Sequence, residues 1–318
     1  MTKKLTSKQT ADWLRLHDDF LILTHRRPDG DSLGSAAGLC LALHAAGKRA
    51  YLLENPETTD RYAEYMIPYL APAEFVPQKV IAVDTADAKI LQLNAAEYAG
   101  RVDLAIDHHT SNTGYAAHTC LNVAAAACGE VAYDVIMDLN GRIEAAAATA
   151  LYVALATDTG CFSYANVTAG TLAVAAALVQ AGANHLRVNK ILFRTKTRAR
   201  IALDGILYSG LKFYSAGRIA VAVLTQEIIE NTGIAEDDLD DVAAIPGQVA
   251  GVMVGIVIRE FARSSCKVSV RTVSEVNANE ICRKFGGGGH PMAAGCVVDM
   301  GPEETVAALV QAAEEILP

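Results

Sequence analysis

Residues 20–32 read FLILTHRRPDGDS, and how that stretch is parsed decides the fold. Phe20–Thr24 is uncharged and rich in β-formers, which reads as a strand buried on both faces. It runs straight into His25. After the polar loop Arg26–Asp31 the pattern turns helical from Ser32 to Ala46, and Gly47 stops it. Strand, loop and helix make the first half of a βαβ unit. Ala50–Leu53, Val80–Val83 and Leu104–Ile106 read as further buried strands, and Gly129–Leu139, Ala145–Thr157 and Ala169–Gln180 as helices. This alternation predicts an α/β fold, a doubly wound parallel sheet over residues 1–187.

Residues 188–214 are helical in pattern and basic, carrying Lys190, Arg194, Lys196, Arg198 and Arg200. They are read as a connector helix. Its charges form a solvated face on the ordinary explanation, and hold ligand phosphates on the rival one. Residues 215–318 then form a second, smaller α/β domain with a βαβ-like order. Its expected strands are Ile219–Leu224, Val249–Ile258, Lys267–Thr272 and Ala294–Val298, and its expected helices Val276–Phe285 and Glu303–Ile316.

The bulk composition narrows the function classes. With 52% hydrophobic and 20% charged residues the chain should fold throughout. A net charge of −9 argues against a broad basic surface for long nucleic acid and leaves short nucleotides open. The N-terminal segment has no continuous apolar run of the secretory kind, and no apolar stretch reaches the ~20 residues that span a bilayer. The seven cysteines are odd in number and never spaced C-x-x-C, which suggests reduced thiols. A cytoplasmic protein without a membrane partner is expected. A homodimer is entertained, with no residue arguing for it.

In an open parallel sheet all strand carboxyl ends lie along one edge, where such folds bind ligands. Three sequence-distant groups meet there: His25 after the first strand, Asp84 after VIAV, and Asp107-His108-His109 after LAI. The loop after the first strand adds Asp29 and Asp31, which Gly30 lets turn in different directions. Either Asp31 or Ser32 could merely cap the next helix. Asp158, after the apolar helix, could likewise be only a turn residue. Carboxylates mixed with imidazoles suit Mn²⁺ or a similar divalent ion, and no thiolate is placed to help. Two ions roughly 3.5–4 Å apart would share a bridging carboxylate, with Asp84 the choice, and would activate water and clamp a phosphoryl centre.

The order H-x-x-x-D-x-D, a strand-ending Asp, D-H-H and an Asp after a helix resembles the four motifs of the DHH phosphoesterase family. That resemblance implies that His25 and Asp29 hold one metal, that Asp31, His108 and Asp158 hold a second, and that Asp84 bridges them. It also implies that His109 faces the substrate phosphate and that Asp107 orients its neighbours.

Near the C-terminus, residues 285–295 read FGGGGHPMAAG. Four consecutive glycines exceed what a helix cap needs, so something must approach the backbone closely. Gly287, Gly288 and Gly289 could form an anion nest, His290 could donate to a phosphate, and Arg271 offers a bidentate fork. A flexible linker is the rival reading. The segment resembles the DHH-associated substrate domain of nanoRNases, RecJ-type nucleases and alanyl-tRNA synthetases, with Thr272 where Ser is more usual. The two resemblances together imply hydrolysis of very short oligoribonucleotides, of linear dinucleotides such as pApA, and of 3′-phosphoadenosine 5′-phosphate (pAp). Rival activities are cyclic-dinucleotide phosphodiesterase and pyrophosphatase or exopolyphosphatase. An inactive nucleotide-binding scaffold is the rival outside enzymes. The general acid stays open between a metal-ligand water and His109.

Overall fold

The computed structural model describes residues 2–239, 241–262 and 264–318. It divides into two compact units, Met1–Thr195 and Lys196–Pro318.

The first unit runs β1 (Lys3–Lys4), α1 (Ser7–Leu16), β2 (Phe20–Leu23), α2 (Gly30–Ala45), β3 (Ala50–Leu52), β4 (Lys79–Val83), β5 (Leu104–Asp107), β6 (His118–Leu121), α3 (Cys128–Asn140), α4 (Ala145–Asp158), α5 (Ala169–Gln180) and α6 (His185–Phe193). Its sheet has the order β1-β6-β5-β4-β2-β3, with every pairing parallel. Uncharged strands are explained by burial on both faces. Phe20, Ile22, Ile81, Val83, Leu104 and Ile106 pack beneath the α-helices. On the other face Leu21, Leu23, Val80, Ala82 and Ala105 are covered by Leu91, Ala95, Val102 and Ala116. That second cover comes partly from short 3₁₀ turns at Ala88–Ile90 and Leu93–Tyr98, where no long amphipathic helix is encoded.

A glycine ridge on α2 sets the closest helix contact. A Cβ added at Gly34 would stand 2.5 Å from the Ala150 carbonyl oxygen and 2.9 Å from the Ala154 nitrogen, and one at Gly38 would stand 2.6 Å from Leu151 Cδ2. Gly30 continues the ridge against Thr157. The alanines that make α4 apolar all round thus serve a close antiparallel approach. Its consequence is local: the start of α2, with Asp29 and Asp31, lies against the end of α4, with Asp158.

The second unit runs α7 (Arg198–Ser209), β7 (Lys212–Tyr214), β8 (Ile219–Leu224), α8 (Gln226–Thr232), β9 (Val254–Ala262), β10 (Ser265–Thr272), α9 (Ala278–Arg283), β11 (Gly288–His290), β12 (Ala293–Val298) and α10 (Pro302–Glu314). The sheet order is β11-β12-β10-β9-β8-β7. Only β8 and β9 pair in parallel and the other neighbours are antiparallel, so the expected βαβ-like order gives way to a mixed sheet.

The expected single connector helix over 188–214 is two helices, α6 and α7. Thr197 starts the second by accepting a hydrogen bond from the Arg200 amide at 3.0 Å. Of its basic residues, Lys196 and Arg200 meet Asp204 at 2.6 and 2.8 Å, which favours a neutralised structural role for that pair. The strand expected at Val249–Ile258 begins at Val254, because Gly251 turns the chain with φ +85°. The helix expected at Val276–Phe285 is shorter, because Asn277 caps it. Among the described residues no helix is long and apolar enough to cross a membrane.

Gly34→Ala is expected to cost about 1–3 kcal/mol, because backbone atoms of α4 must move. The single tryptophan, Trp13 in α1, reports on this unit, so a urea titration followed by its fluorescence measures the loss. An unshifted midpoint would show that the two helices can separate without cost.

Candidate metal centre

Three strand ends deliver the centre. Asp84 follows β4 in the left-handed region, φ +53°, at an intrinsic cost of about 1–2 kcal/mol for a residue with a Cβ. Its amide donates to the Ile106 carbonyl at 2.9 Å, which ties the turn to β5. The buried carboxylate then faces two ways. Oδ2 lies 3.5 Å from His25 Nε2, and Oδ1 lies 3.5 Å from His108 Nε2 and 3.6 Å from His109 Nδ1.

Around these, Asp29 Oδ1 is 3.8 Å from His25 Nε2, while Asp31 Oδ2 and Asp158 Oδ2 are 3.7 and 3.5 Å from His108 Nε2. The histidine rings are aimed by backbone carbonyls. His25 Nδ1 meets the Arg26 carbonyl at 2.7 Å, and His108 Nδ1 meets that of Ala125 at 3.2 Å. A proton on each Nδ1 donates outward and leaves each Nε2 lone pair pointing inward. The six residues proposed as ligands therefore come together, as two groups able to hold a metal ion: His25, Asp29 and Asp84, and Asp31, His108 and Asp158. Asp84 also groups with His108 and His109.

The cap readings are satisfied as well. Asp29 Oδ1 accepts from the Ser32 amide at 3.0 Å and starts α2. Asp31, fully buried, accepts from the Cys128 and Gly129 amides at 2.6 and 3.0 Å. It thus supplies the N-terminal cap that Ala127 cannot give α3. Capping and converging on the centre are compatible, since the caps fix where the carboxylates point.

The electrostatics fit a cation. Burial first, then the charges of Asp84, Asp158 and Asp29, push Asp31 well above the carboxylate range. Burial and the charges of Asp29 and Asp84 raise Asp158 to about 8. Burial opposes charge on His25, but Asp29 and Asp84 overcome it and lift the imidazole to about 11. So many buried carboxylates cannot all ionise together without positive charge among them. Asp84 Oδ1 is buried with no hydrogen-bond partner. A metal ion would satisfy that oxygen and displace the protons.

Beside the centre, His109 Nδ1 donates to Asp107 Oδ1 at 2.7 Å, which takes that nitrogen out of the ligand set. Asp107 is completely buried. The same Oδ1 accepts from the His108 amide at 2.9 Å, and Oδ2 accepts from Asn112 Nδ2 at 2.6 Å. The bond to Asp107, against the effect of burial, raises His109 to about 9. Sequence reasoning missed Asn112, whose only signal was its place three residues after the histidine pair. It also missed Asn55, which donates to the His25 carbonyl at 2.9 Å, and Gln92, whose Oε1 accepts from the Thr24 amide at 3.0 Å.

The residues singled out in the second unit gather along β10, β11 and β12. Arg271 stands opposite Ala293, and Ala293 opposite His290. The close approach expected of a ligand is made in part by the protein itself. A Cβ at Gly287 would come within 2.5 Å of Cys296 Cβ, and one at Gly289, φ +150°, within 2.5 Å of the Ala293 carbonyl oxygen. The Gly287 amide is spent on the Cys282 carbonyl at 3.0 Å. Gly288 is different: a Cβ there would meet only Asn279 Oδ1, at 3.6 Å.

A parallel α/β sheet whose carboxyl edge gathers imidazoles and carboxylates around one shared Asp defines a class, that of α/β proteins built to hold metal ions. The chain belongs to the DHH family. Residues 19–157 match the DHH family N-terminal domain and residues 217–318 the DHHA1 domain. The family is metal-dependent. A bifunctional oligoribonuclease and PAP phosphatase NrnA from Thermus thermophilus is 33% identical over 87% of this chain and 83% of its own. Its counterpart from Bacillus subtilis is 24% identical over 90% of this chain and 91% of its own. Among solved structures, an exopolyphosphatase-related protein from Bacteroides fragilis shares the fold at TM-score 0.84 and 21% identity, over 97% of this chain and 95% of that one.

Adding Mn²⁺ should raise the unfolding free energy reported by Trp13 by about 2.7 kcal/mol at a hundredfold excess over Kd. Asp84→Ala should abolish the rise, because the first group loses a member and the second loses the oxygen that faces His108. A variant that keeps the full shift would remove Asp84 from the centre.

Proposed function

We propose that the chain is a Mn²⁺-dependent phosphoesterase that cleaves very short oligoribonucleotides and linear dinucleotides such as pApA to mononucleotides, and removes the 3′-phosphate of pAp. The observation that carries the reading is the two-faced Asp84 carboxylate between His25 and His108. Support comes also from the relatives named as oligoribonuclease and PAP phosphatase over most of this chain.

His25, Asp29 and Asp84 would hold one divalent ion, and Asp31, His108, Asp158 and the other Asp84 oxygen a second. When bound, such a pair supplies activated water and positive charge against the phosphoryl oxygens. The chain's own groups do the rest. Asp107 fixes the His109 ring by its Nδ1, which leaves Nε2 to donate to a phosphoryl oxygen as charge builds there. Against the effect of burial, the His109 ring, then Asn112 and the amides of the loop keep Asp107 ionised and in place. In the second domain Arg271 and His290 would hold the distal phosphate, with Gly287, Gly288 and Gly289 giving it room. The seven cysteines, all free, suit work in the cytoplasm. No observation favours the homodimer.

A Mn²⁺ assay comparing pAp, pApA, RNAs of a few nucleotides, cyclic di-AMP and pyrophosphate tests this. Turnover of pAp and the short RNAs is expected. Turnover of pyrophosphate or cyclic di-AMP alone would overturn the reading. Arg271→Ala should raise KM for pAp roughly 10- to 100-fold, the worth of a charge-assisted hydrogen bond, and leave the Mn²⁺ thermal shift in place. An unchanged KM would take Arg271 out of the substrate site.

A further inference from the structure

The loop that carries His25 and Asp29 also carries an arginine in a backbone conformation that glycine would take more cheaply. Both backbone polar groups of Arg26 are engaged: its amide donates to the Ile90 carbonyl at 2.8 Å, and its carbonyl accepts from His25 Nδ1 at 2.7 Å. Pro28 restricts the chain on the other side. The reversal between them falls on Arg27, which takes φ +49°. Glycine enters that left-handed region at no steric cost, a residue with a Cβ does not, and a residue before proline is restricted further. Non-glycine residues held there concentrate at functional sites.

The Arg27 side chain is 84% exposed, so no packing offsets that cost. Among the described residues its charged neighbour is Glu57, with Nε 3.9 Å from Oε1, too far for a hydrogen bond. Glu57 is half-buried and fastened to the loop. Its amide donates to Asn55 Oδ1 at 3.1 Å, and Asn55 Nδ2 donates to the His25 carbonyl at 2.9 Å. Its other oxygen, Oε2, is buried without a hydrogen-bond partner. A fixed carboxylate thus stands near a guanidinium whose donors are open to solvent. Charge counting shows what that guanidinium adds. Asp29, Asp31, Asp84 and Asp158, all ionised, would only cancel two divalent ions, and Asp107 matches a protonated His109. The loaded centre is then close to neutral. A phosphomonoester carries about 1.5 to 2 negative charges at neutral pH, against roughly one for a diester. A cation in the loop favours the more highly charged of the two.

We propose that Arg27 is a specificity residue of the first unit: it binds the dianionic reacting phosphate of a phosphomonoester at the rim of the centre, and so sets the balance between phosphatase and phosphodiesterase action. The inference rests on the reading that both substrate classes are hydrolysed here. A terminal phosphate presents three acceptor oxygens, which the planar fork of an arginine can meet in pairs. Glu57 competes for the same guanidinium, and its 3.9 Å separation leaves the arginine free to turn to a ligand.

The test uses the full chain with Mn²⁺ and two substrates, pAp and pApA, that share a 5′-phosphate and differ in the phosphate attacked. Arg27→Gly keeps the left-handed backbone accessible, so the Mn²⁺-induced stabilisation should stay as in the wild type. The ratio of kcat/KM for pAp over that for pApA should fall about tenfold, the lower end of the effect of one charge-assisted hydrogen bond, and Arg27→Lys should restore part of it. Glu57→Gln should raise the ratio in the wild-type chain and leave it unchanged in Arg27→Gly. Calorimetry with inorganic phosphate reads the site without turnover: Arg27→Gly should weaken its binding to the Mn²⁺-loaded protein about tenfold. Equal losses on the two substrates, an unchanged phosphate affinity, or loss of the Mn²⁺ stabilisation overturns the assignment. A wild type that hydrolyses neither substrate but binds phosphate through Arg27 keeps the anion site and overturns the proposed activity.

Discussion

Everything in the first unit is arranged around keeping the Asp84 carboxylate buried, bent out of the ordinary backbone region and short of a hydrogen-bond partner. Each condition is costly by itself. A left-handed aspartate relaxes unless its neighbours over-determine it, and a buried, unpaired oxygen loses its hydration for nothing. The parallel pairing of β4 with β5 supplies the first constraint, because Asp84 donates to the Ile106 carbonyl in continuation of the ladder. The inward Nε2 atoms of His25 and His108, each steered by a carbonyl on its far nitrogen, supply the second. The price is worth carrying only if a cation completes the set. A carboxylate with one oxygen toward each of two imidazoles is the shape of a shared ligand.

Packing places the other residues of the centre as firmly as pairing places Asp84. The Gly30, Gly34 and Gly38 ridge lets α2 lie on the backbone of α4, so Asp31 and Asp158 reach the same imidazole from two helix ends. Asp31 at the start of α3 then ties a third helix to that point. Stability and site are therefore coupled: moving α4 outward by the width of one methyl would move Asp158 away from His108.

Much of this was legible in sequence because it follows from strand ends. Uncharged runs that stop at His25, Asp84 and Asp107 predict both a parallel sheet and a meeting point, and periodicity is enough to find them. Asp158 was weaker, since a turn aspartate explains it equally well until α4 is seen to end beside α2. What escaped has physical reasons. Asn55 and Gln92 act on His25 and Thr24 from 30 and 68 residues away, and a neutral amide carries no pattern of its own. The cover of the second sheet face is made of 3₁₀ turns too short to show a period. In the second unit, glycine's poor strand propensity hides β11 in the sequence, yet β12 pairs with it and itself supplies the reason for Gly287 and Gly289.

Charge balance sets both units the same problem. A chain of net charge −9 that is to take a polyanion cannot rely on its general field, which repels the substrate. The acidic residues of the centre deepen that field, and a bound cation would offset it. In the second unit the solution is different. Arg259 is neutralised by Glu236 and Arg200 by Asp204, whereas Arg271 and Lys267, exposed on β10, have no carboxylate within salt-bridge distance among the described residues. Positive charge is thus left at a few exposed positions of β10.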